Sequence, residues 1–137
     1  MRQGRMDRQE ETDGGGRRPP PAYRPDRDGA AKSVLMLVAR DQKIPAKLLL
    51  HPSRCRQGVA AARQLAMYLM HVGLGRSLGN VGQFFGRDRS TVSHACALVE
   101  DRRDNAAFDA RVTCLEEQIE NETEAAERGA REITHAG

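Results

Sequence analysis

The chain has 137 residues, of which 39% are hydrophobic and none is tryptophan, and a chain of this size and composition forms one small domain with tails. No run of eighteen or more apolar residues occurs, and no apolar stretch follows the arginines near the N-terminus. We therefore expect neither a membrane span nor a signal peptide, and a cytoplasmic protein.

Charge is distributed unevenly along the chain, although the net charge is only +3. Residues 30–103 carry 12 Lys and Arg against 4 Asp and Glu, whereas residues 104–137 carry 3 Arg against 9 acidic residues. This pattern is typical of a body that binds a polyanion, followed by a solvated acidic helix.

Cysteine usage and motif content argue against catalysis. Cys55, Cys96 and Cys114 are odd in number and form no Cys-x-x-Cys pair, which disfavours disulfides and a structural zinc site. We expect Cys96 and Cys114 to be small core residues, and Cys55 to be incidental, although neighbouring arginines could make it redox-active.

The sequence also lacks the phosphate-binding motif G-x-x-x-x-G-K-[ST]. We expect no enzyme activity and no cofactor, metal or nucleotide.

The first half of the chain predicts an arm followed by three helices. Residues 1–29 are rich in Gly, Pro, Arg and Asp and are predicted to be a disordered arm, so that removing residues 1–28 should change stability by no more than about 1 kcal/mol. Apolar periodicity predicts a helix from residue 31 to about 43, a short element at 46–50, and an amphipathic helix at 59–72. A basic loop that contains Arg54 and Arg56 precedes the third helix.

Residues 77–103 are typical of a helix-turn-helix. Ser77 is the expected N-cap of the first helix, Gly86 its left-handed C-terminal residue, and Asp88 the N-cap of the second helix. The second helix has an apolar stripe at Val92, Ala95, Cys96 and Val99, so Arg89, Ser90, Ser93 and Ala97 should point outward.

A closing helix is predicted at 107–121, and residues 122–137 are expected to be a frayed acidic tail. No strand pattern occurs. The predicted fold is all-α, with four to six helices around a helix-turn-helix in one domain at residues 30–121.

The chain resembles the C-terminal DNA-binding domain of the bacterial replication initiator DnaA over about residues 30 to 120. The matching segments are Val59-Ala60, Arg63 to Leu69, Ser77-Leu78, Val81-Gly82, Phe85-Gly86 and Arg87 to Ala95. The resemblance implies that the recognition helix enters the major groove of a short box and that the basic loop reaches the minor groove.

By this resemblance the site residues sort into three groups. The residues that would contact base edges and nearby phosphates are Asp88, Arg89, Ser90 and Thr91, with Leu78 and Gly79 near thymine methyl groups. The residues that would contact the DNA phosphate backbone are Arg54, Arg56, Arg63, Gln64 and Arg87. Ser93 is expected on the outward face of the same helix, and His94 is expected to be an edge residue that packs against the helix at 59–72 or binds a phosphate. Thr91 could also cap the helix.

The chain departs from the family pattern at the positions that read DNA. Arg89 stands where the family has histidine, Ser90 where it has threonine, and Cys55 where an arginine enters the minor groove. One glycine, Gly86, precedes Arg87 where the family usually has two, and His71 replaces a basic residue. The preferred box is therefore expected to differ from that of DnaA.

The expected function is sequence-specific binding of double-stranded DNA at DnaA-box-like sites, in the regulation of transcription or of replication initiation, by a nucleoid-associated protein. A second hypothesis is a protein-interaction module that docks to a replication or transcription factor through its acidic C-terminal helix. A nuclease or transposon accessory role is disfavoured because the basic region has no carboxylate cluster.

Overall fold

The computed structural model describes residues 22–51 and 57–136, with side chains for 22–51 and 58–129. These residues form six α-helices and no strand, which confirms the all-α prediction. A 3-10 turn at Pro25–Arg27 precedes them, and a π-helical turn at Leu69–Gly73 follows the third helix. In chain order the helices are α1 (Gly29–Gln42), α2 (Ala46–Leu50), α3 (Gln57–Tyr68), α4 (Leu78–Phe85), α5 (Arg89–Arg102) and α6 (Ala106–Ala136).

The beginning of α1 shows that the domain boundary predicted at residue 29 is too late. The Asp28 side chain accepts a hydrogen bond from the Ala31 amide at 3.0 Å and caps the helix. Asp28 is buried, and both of its carboxylate oxygens accept hydrogen bonds from Arg76, at 2.9 and 3.0 Å. The Tyr23 hydroxyl donates to the same carboxylate. Residues 23–28 therefore belong to the folded domain, and these contacts lead us to expect that removal of residues 1–28 lowers stability, contrary to the sequence prediction.

The end of α1 follows from local backbone chemistry. Lys43 adopts the left-handed conformation with φ of 58°, and the Ile44 amide donates to the Ala39 carbonyl at 2.9 Å. Ile44 precedes Pro45, which disfavours a helical conformation at Ile44. The helix therefore ends where the sequence predicts, and Pro45 starts α2.

Helix α4 of the helix-turn-helix has the predicted caps. The Ser77 side chain accepts from the Asn80 amide at 3.0 Å, and Gly86 is left-handed with φ of 69°. The turn is close because the Arg87 amide donates to the Gly82 carbonyl at 2.8 Å. A Cβ on Gly82 would lie 2.5 Å from the Arg87 carbonyl oxygen, so this backbone approach requires glycine.

The core lies between α1, α3, the helix-turn-helix and the first half of α6. It contains the predicted apolar stripes of all the helices, and its largest fully buried side chains include Leu65, Met67, Leu69, Val81, Val92, Val99, Val112 and Leu115. Helix α5, the predicted recognition helix, is thus held by its inner face against α3, with its outer face exposed.

Two sequence predictions about the C-terminal part are corrected. Helix α6 continues to Ala136, so residues 122–136 are helical where fraying was expected. Cys114 is exposed on this helix, whereas a core position was predicted, and Cys96 is only half-buried. Burial raises the pKa of the Cys96 thiol, which disfavours reactivity as a thiolate.

Candidate nucleic-acid interface

The first turns of α5 form an exposed polar surface. Asp88, Arg89, Ser90 and Thr91 are all exposed. The Arg89 side chain makes no ion pair or side-chain hydrogen bond with any residue that the structure describes. Its guanidinium therefore keeps all five N–H donors for another molecule.

Asp88 is the N-cap residue of α5 by backbone conformation, with φ of −67° and ψ of 153°. Its carboxylate makes no capping hydrogen bond, in contrast to Ser77 of α4. The Thr91 and Val92 amides donate to the Asp88 carbonyl instead. The Asp88 carboxylate is thus left to accept from an external donor, such as the exocyclic amine of cytosine.

One turn further along α5, Ser93 and His94 are also exposed, as is Ala97. The sequence predicted Ser93 and Ala97 on this outward face together with Arg89 and Ser90, and that prediction is confirmed. The face carries small and polar side chains, which allow close approach of a helix to a nucleic-acid groove.

Leu78 and Gly79 begin α4 beside this surface. Leu78 is half-buried and packs against the core, and Gly79 is exposed. Its partial exposure leaves the predicted contact with a thymine methyl group as a prediction.

Arg63 occupies a different environment from the one predicted. It is only 9% exposed, and its Nε donates to the Leu49 carbonyl at 2.7 Å. One terminal nitrogen donates to the carbonyls of Leu48 and His51, both at 3.2 Å. Arg63 therefore holds the C-terminal end of α2, where helix carbonyls lack intrahelical donors. Its predicted phosphate contact stays a prediction.

Arg87 also binds backbone carbonyls. Its two terminal nitrogens donate to Phe85 at 3.1 Å and to His51 at 3.3 Å. Arg87 is half-buried and thus links the turn of the helix-turn-helix to the end of α2. Arg54 and Arg56, which immediately follow this segment, lie outside the described residues.

Gln64 lies next to Arg63 on α3 and is half-buried. With Ala60, Ala61 and Arg102 it lines an open depression of about 380 Å³. The small alanine side chains leave Gln64 and the Arg102 guanidinium accessible there. Arg102 itself stacks over the Phe108 ring at 4.0 Å.

Two side-chain clusters that orient the site are absent from the sequence predictions. The first is the ion pair between Asp28 and Arg76, which places the N-terminal end of α1 beside α4; hydrogen bonds from Arg76 and Tyr23 hold the pKa of Asp28 well below its usual range. The two residues are 48 positions apart, so no local pattern could have revealed the pair.

The second cluster surrounds Arg103, at the end of α5. Its guanidinium donates to Tyr68 on α3 and to Asp109, Thr113 and Glu116 on α6. The hydrogen bond to Asp109 is the main cause that raises the pKa of Arg103 further. The Tyr68 hydroxyl in turn donates to Glu100 of α5 at 3.0 Å. The end of α5 is thus fixed to both neighbouring helices.

The described residues contain no cluster of three or more His, Cys, Asp or Glu side chains that could hold a metal ion. Within the same residues, no helix is both long and apolar enough to cross a membrane.

Comparison with known proteins agrees with this geometry. Residues 31–99 match the family described as bacterial DnaA protein helix-turn-helix. The chromosomal replication initiator protein DnaA of Deinococcus radiodurans is 36% identical over 98 residues, which are 71% of this chain and 21% of the relative. DnaA of Deinococcus deserti is 41% identical over 69 residues, which are 50% of this chain and 15% of the relative. DnaA of Bifidobacterium animalis subsp. lactis is 50% identical over 52 residues, which are 37% of this chain and 9% of the relative.

The chain thus matches about a fifth or less of the length of these relatives. The matched part contains α1 to α5 almost completely, and it includes the whole exposed surface at the start of α5. The chain belongs to the family of bacterial DnaA helix-turn-helix domains, which are DNA-binding domains.

Proposed function

We propose that the chain binds double-stranded DNA at DnaA-box-like sites and regulates replication initiation or transcription from them. The observation that carries the proposal is the exposed set Asp88, Arg89, Ser90 and Thr91 at the start of α5, on a helix whose opposite face is buried. A helix held in this way presents its first turns to base edges in the major groove.

The position of His51 at the start of the basic loop also supports DNA binding. The basic loop with Arg54 and Arg56 follows His51, whose carbonyl binds both Arg63 and Arg87. The start of this loop is therefore fixed relative to the start of α5. Arg54 follows His51 by only three residues, and we propose that it and Arg56 reach a neighbouring phosphate or the adjacent minor groove.

Binding of labelled duplexes at several salt concentrations tests the proposal. Fluorescence anisotropy would compare a duplex that carries a DnaA-box-like sequence with a scrambled duplex of the same composition. With three phosphate contacts, affinity falls by about 40-fold as salt rises from about 50 to 200 mM. We expect this steep fall for both duplexes, and tighter binding of the box duplex at every salt concentration.

The double variant Arg54→Ala/Arg56→Ala separates phosphate contacts from base contacts. It should weaken binding to both duplexes by the same factor. It should also reduce the slope of log affinity against log salt concentration by the amount expected for about two phosphate contacts. Equal affinity of the unaltered chain for both duplexes would contradict box specificity, and a flat salt dependence would contradict DNA binding through phosphates.

A second candidate function is docking to a replication or transcription factor through the acidic face of α6. Glu117, Glu120 and Glu124 are exposed on this helix and form no ion pair with a residue that the structure describes. Charge reversal of Glu117 and Glu124 would abolish such docking and leave the affinity for short duplexes unchanged.

A further inference from the structure

A groove lies between the start of α1 and the second half of α6, away from the start of α5. It has a volume of about 530 Å³. Its apolar part is formed by Val34, Leu74, Ile119 and Ala126, and Ser33 and Thr123 add one hydroxyl group from each side. Glu122 and Glu127 line its α6 side.

The negative charge of this groove favours an occupant with positive charge. Glu122 and Glu127 are both exposed, and neither forms an ion pair with a described residue. Arg76, the cation near the α1 end, is already neutralised by Asp28. Like-charge repulsion between glutamate-rich helices disfavours a second α6 as the occupant. A segment with an apolar body and cationic side chains fits the groove.

The chain itself contains such a segment directly before the described residues. Residues 17–21 read Arg-Arg-Pro-Pro-Pro. Prolines have no N–H group, so a proline run can enter an apolar groove without burying unsatisfied amide donors. The hydroxyl groups of Ser33 and Thr123 can donate to its carbonyls.

Position and length also agree. The first described residues lead into Tyr23, whose hydroxyl binds Asp28, and Gly29 and Ala30 line the groove. In a polyproline II conformation at about 3.1 Å per residue, the five steps from Arg17 to Ala22 span about 15 Å. Helix α6 rises about 12 Å from Ile119 to Glu127. The segment is therefore long enough to bring Arg17 and Arg18 to the glutamates.

We propose that residues 17–21 dock in this groove of the same chain, with Arg17 and Arg18 paired to Glu122 and Glu127. Exposed ion pairs are individually weak, but a short tether holds the segment at an effective concentration in the millimolar range. The docked arm leaves the start of α5 accessible, and its arginines bind α6 instead of DNA phosphates.

Paramagnetic broadening in the full-length chain tests this proposal. The native cysteines would be replaced by Cys55→Ser, Cys96→Ala and Cys114→Ser, and a spin label would be attached through Gly16→Cys. We expect loss of amide signal intensity at residues 29–34 and 119–127. The double variant Glu122→Lys/Glu127→Lys should restore these signals, and so should Arg17→Glu/Arg18→Glu. Combining the two pairs should bring the broadening back.

Matched controls keep the result interpretable. Glu117→Lys/Glu124→Lys changes the charge of α6 by the same amount on another face and should leave the broadening intact. Circular dichroism verifies folding, and Glu122→Gln/Glu127→Gln replaces the lysine pair if that variant unfolds.

Three outcomes would overturn the proposal. The first is an absence of broadening at the groove, and the second is broadening that does not respond to either charge reversal. The third is broadening that also occurs between spin-labelled molecules and separate isotope-labelled molecules, because it would assign the groove to a second copy of the chain.

Discussion

Arg63 and Arg87 donate to the same acceptor, the carbonyl oxygen of His51, at 3.2 and 3.3 Å. Arg63 comes from α3 and Arg87 from the turn before α5, so one peptide group joins the end of α2 to both elements. The basic loop starts immediately after this peptide group. Two arginines that resemble phosphate contacts in sequence thus also connect the two parts of the proposed DNA-binding surface.

This relationship predicts that Arg63 contributes mainly to stability. Arg63→Ala should lower the free energy of unfolding by about 2 to 3 kcal/mol, because it leaves the carbonyls of Leu48 and Leu49 without a charged donor and leaves the His51 carbonyl with Arg87 alone. Arg63→Lys should not restore the loss, since lysine lacks the planar fork of donors. Equilibrium unfolding in urea measures both variants.

Gln64→Ala is the matched control for Arg63, because Gln64 is the next residue on α3 and lies at the surface depression. It should change stability by less than about 0.5 kcal/mol. An Arg63→Ala protein as stable as the unaltered chain, but with weaker binding to every DNA sequence, would return Arg63 to the phosphate contacts.

The ion pair between Asp28 and Arg76 predicts a defined pH dependence of stability. The pKa of Asp28 is lowered in the folded state from an unfolded value of about 3.9. Its contribution is therefore fully present above the unfolded pKa and is lost as pH falls below about 4 towards the folded pKa. Asp28→Asn should cost about 2 to 4 kcal/mol at neutral pH, and this difference should shrink in acid.

Thermal unfolding between pH 7 and pH 3 measures this effect. Asp26→Asn is the control, since Asp26 lies in the same turn but its ion pair with Arg24 is exposed and 3.8 Å long. A constant difference between Asp28→Asn and the unaltered chain across this pH range would contradict the assignment.

The sequence predicts those parts of the fold that depend on neighbouring residues. The caps at Ser77 and Gly86 and the buried stripe of α5 follow from local spacing, and the structure confirms them. The role of Arg63 and the pairing of Asp28 with Arg76 depend on contacts between distant segments, and an arginine has the same local signature whether it faces a phosphate or a carbonyl. The sequence predicts too short an α6 because the second half of this helix buries few apolar side chains.

Gly82 should be required for the close turn of the helix-turn-helix. Gly82→Ala places a methyl group against the Arg87 carbonyl, which belongs to the backbone and cannot rotate away. We expect a loss of about 1 to 3 kcal/mol in the free energy of unfolding, as in overpacked cores. Differential scanning calorimetry measures the change.

Gly79 provides the comparison within the same helix. A Cβ at Gly79 meets no atom closer than 4.0 Å, so Gly79→Ala should be neutral or stabilise the protein by up to about 1 kcal/mol. Equal losses for both variants would show that alanine is unfavourable in α4 for another reason than the close approach to Arg87.

Arg89 is expected to determine which box the protein prefers. It is exposed in the first turn of α5, has no partner among the described residues, and stands where the family has histidine. An arginine at this place can donate to O6 and N7 of one guanine, a contact worth about 1 to 3 kcal/mol of discrimination. Arg89→Ala should therefore weaken binding to the preferred site by that amount and leave binding to random DNA nearly unchanged.

Selection of bound sequences from a randomised duplex pool at two salt concentrations tests this prediction, with circular dichroism as the folding control. Arg89→Ala should relax selection at one base position, whereas Arg89→His should shift the selected motif towards the box of the family. Arg111→Ala removes the same charge from α6, where Arg111 is exposed, and should change neither the motif nor the affinity. If Arg89→Ala instead leaves the motif unaltered and weakens binding to all sequences equally, Arg89 is a phosphate contact. Base recognition would then rest on Asp88, Ser90 and Thr91, whose exposed side chains complete the first turn of the same helix.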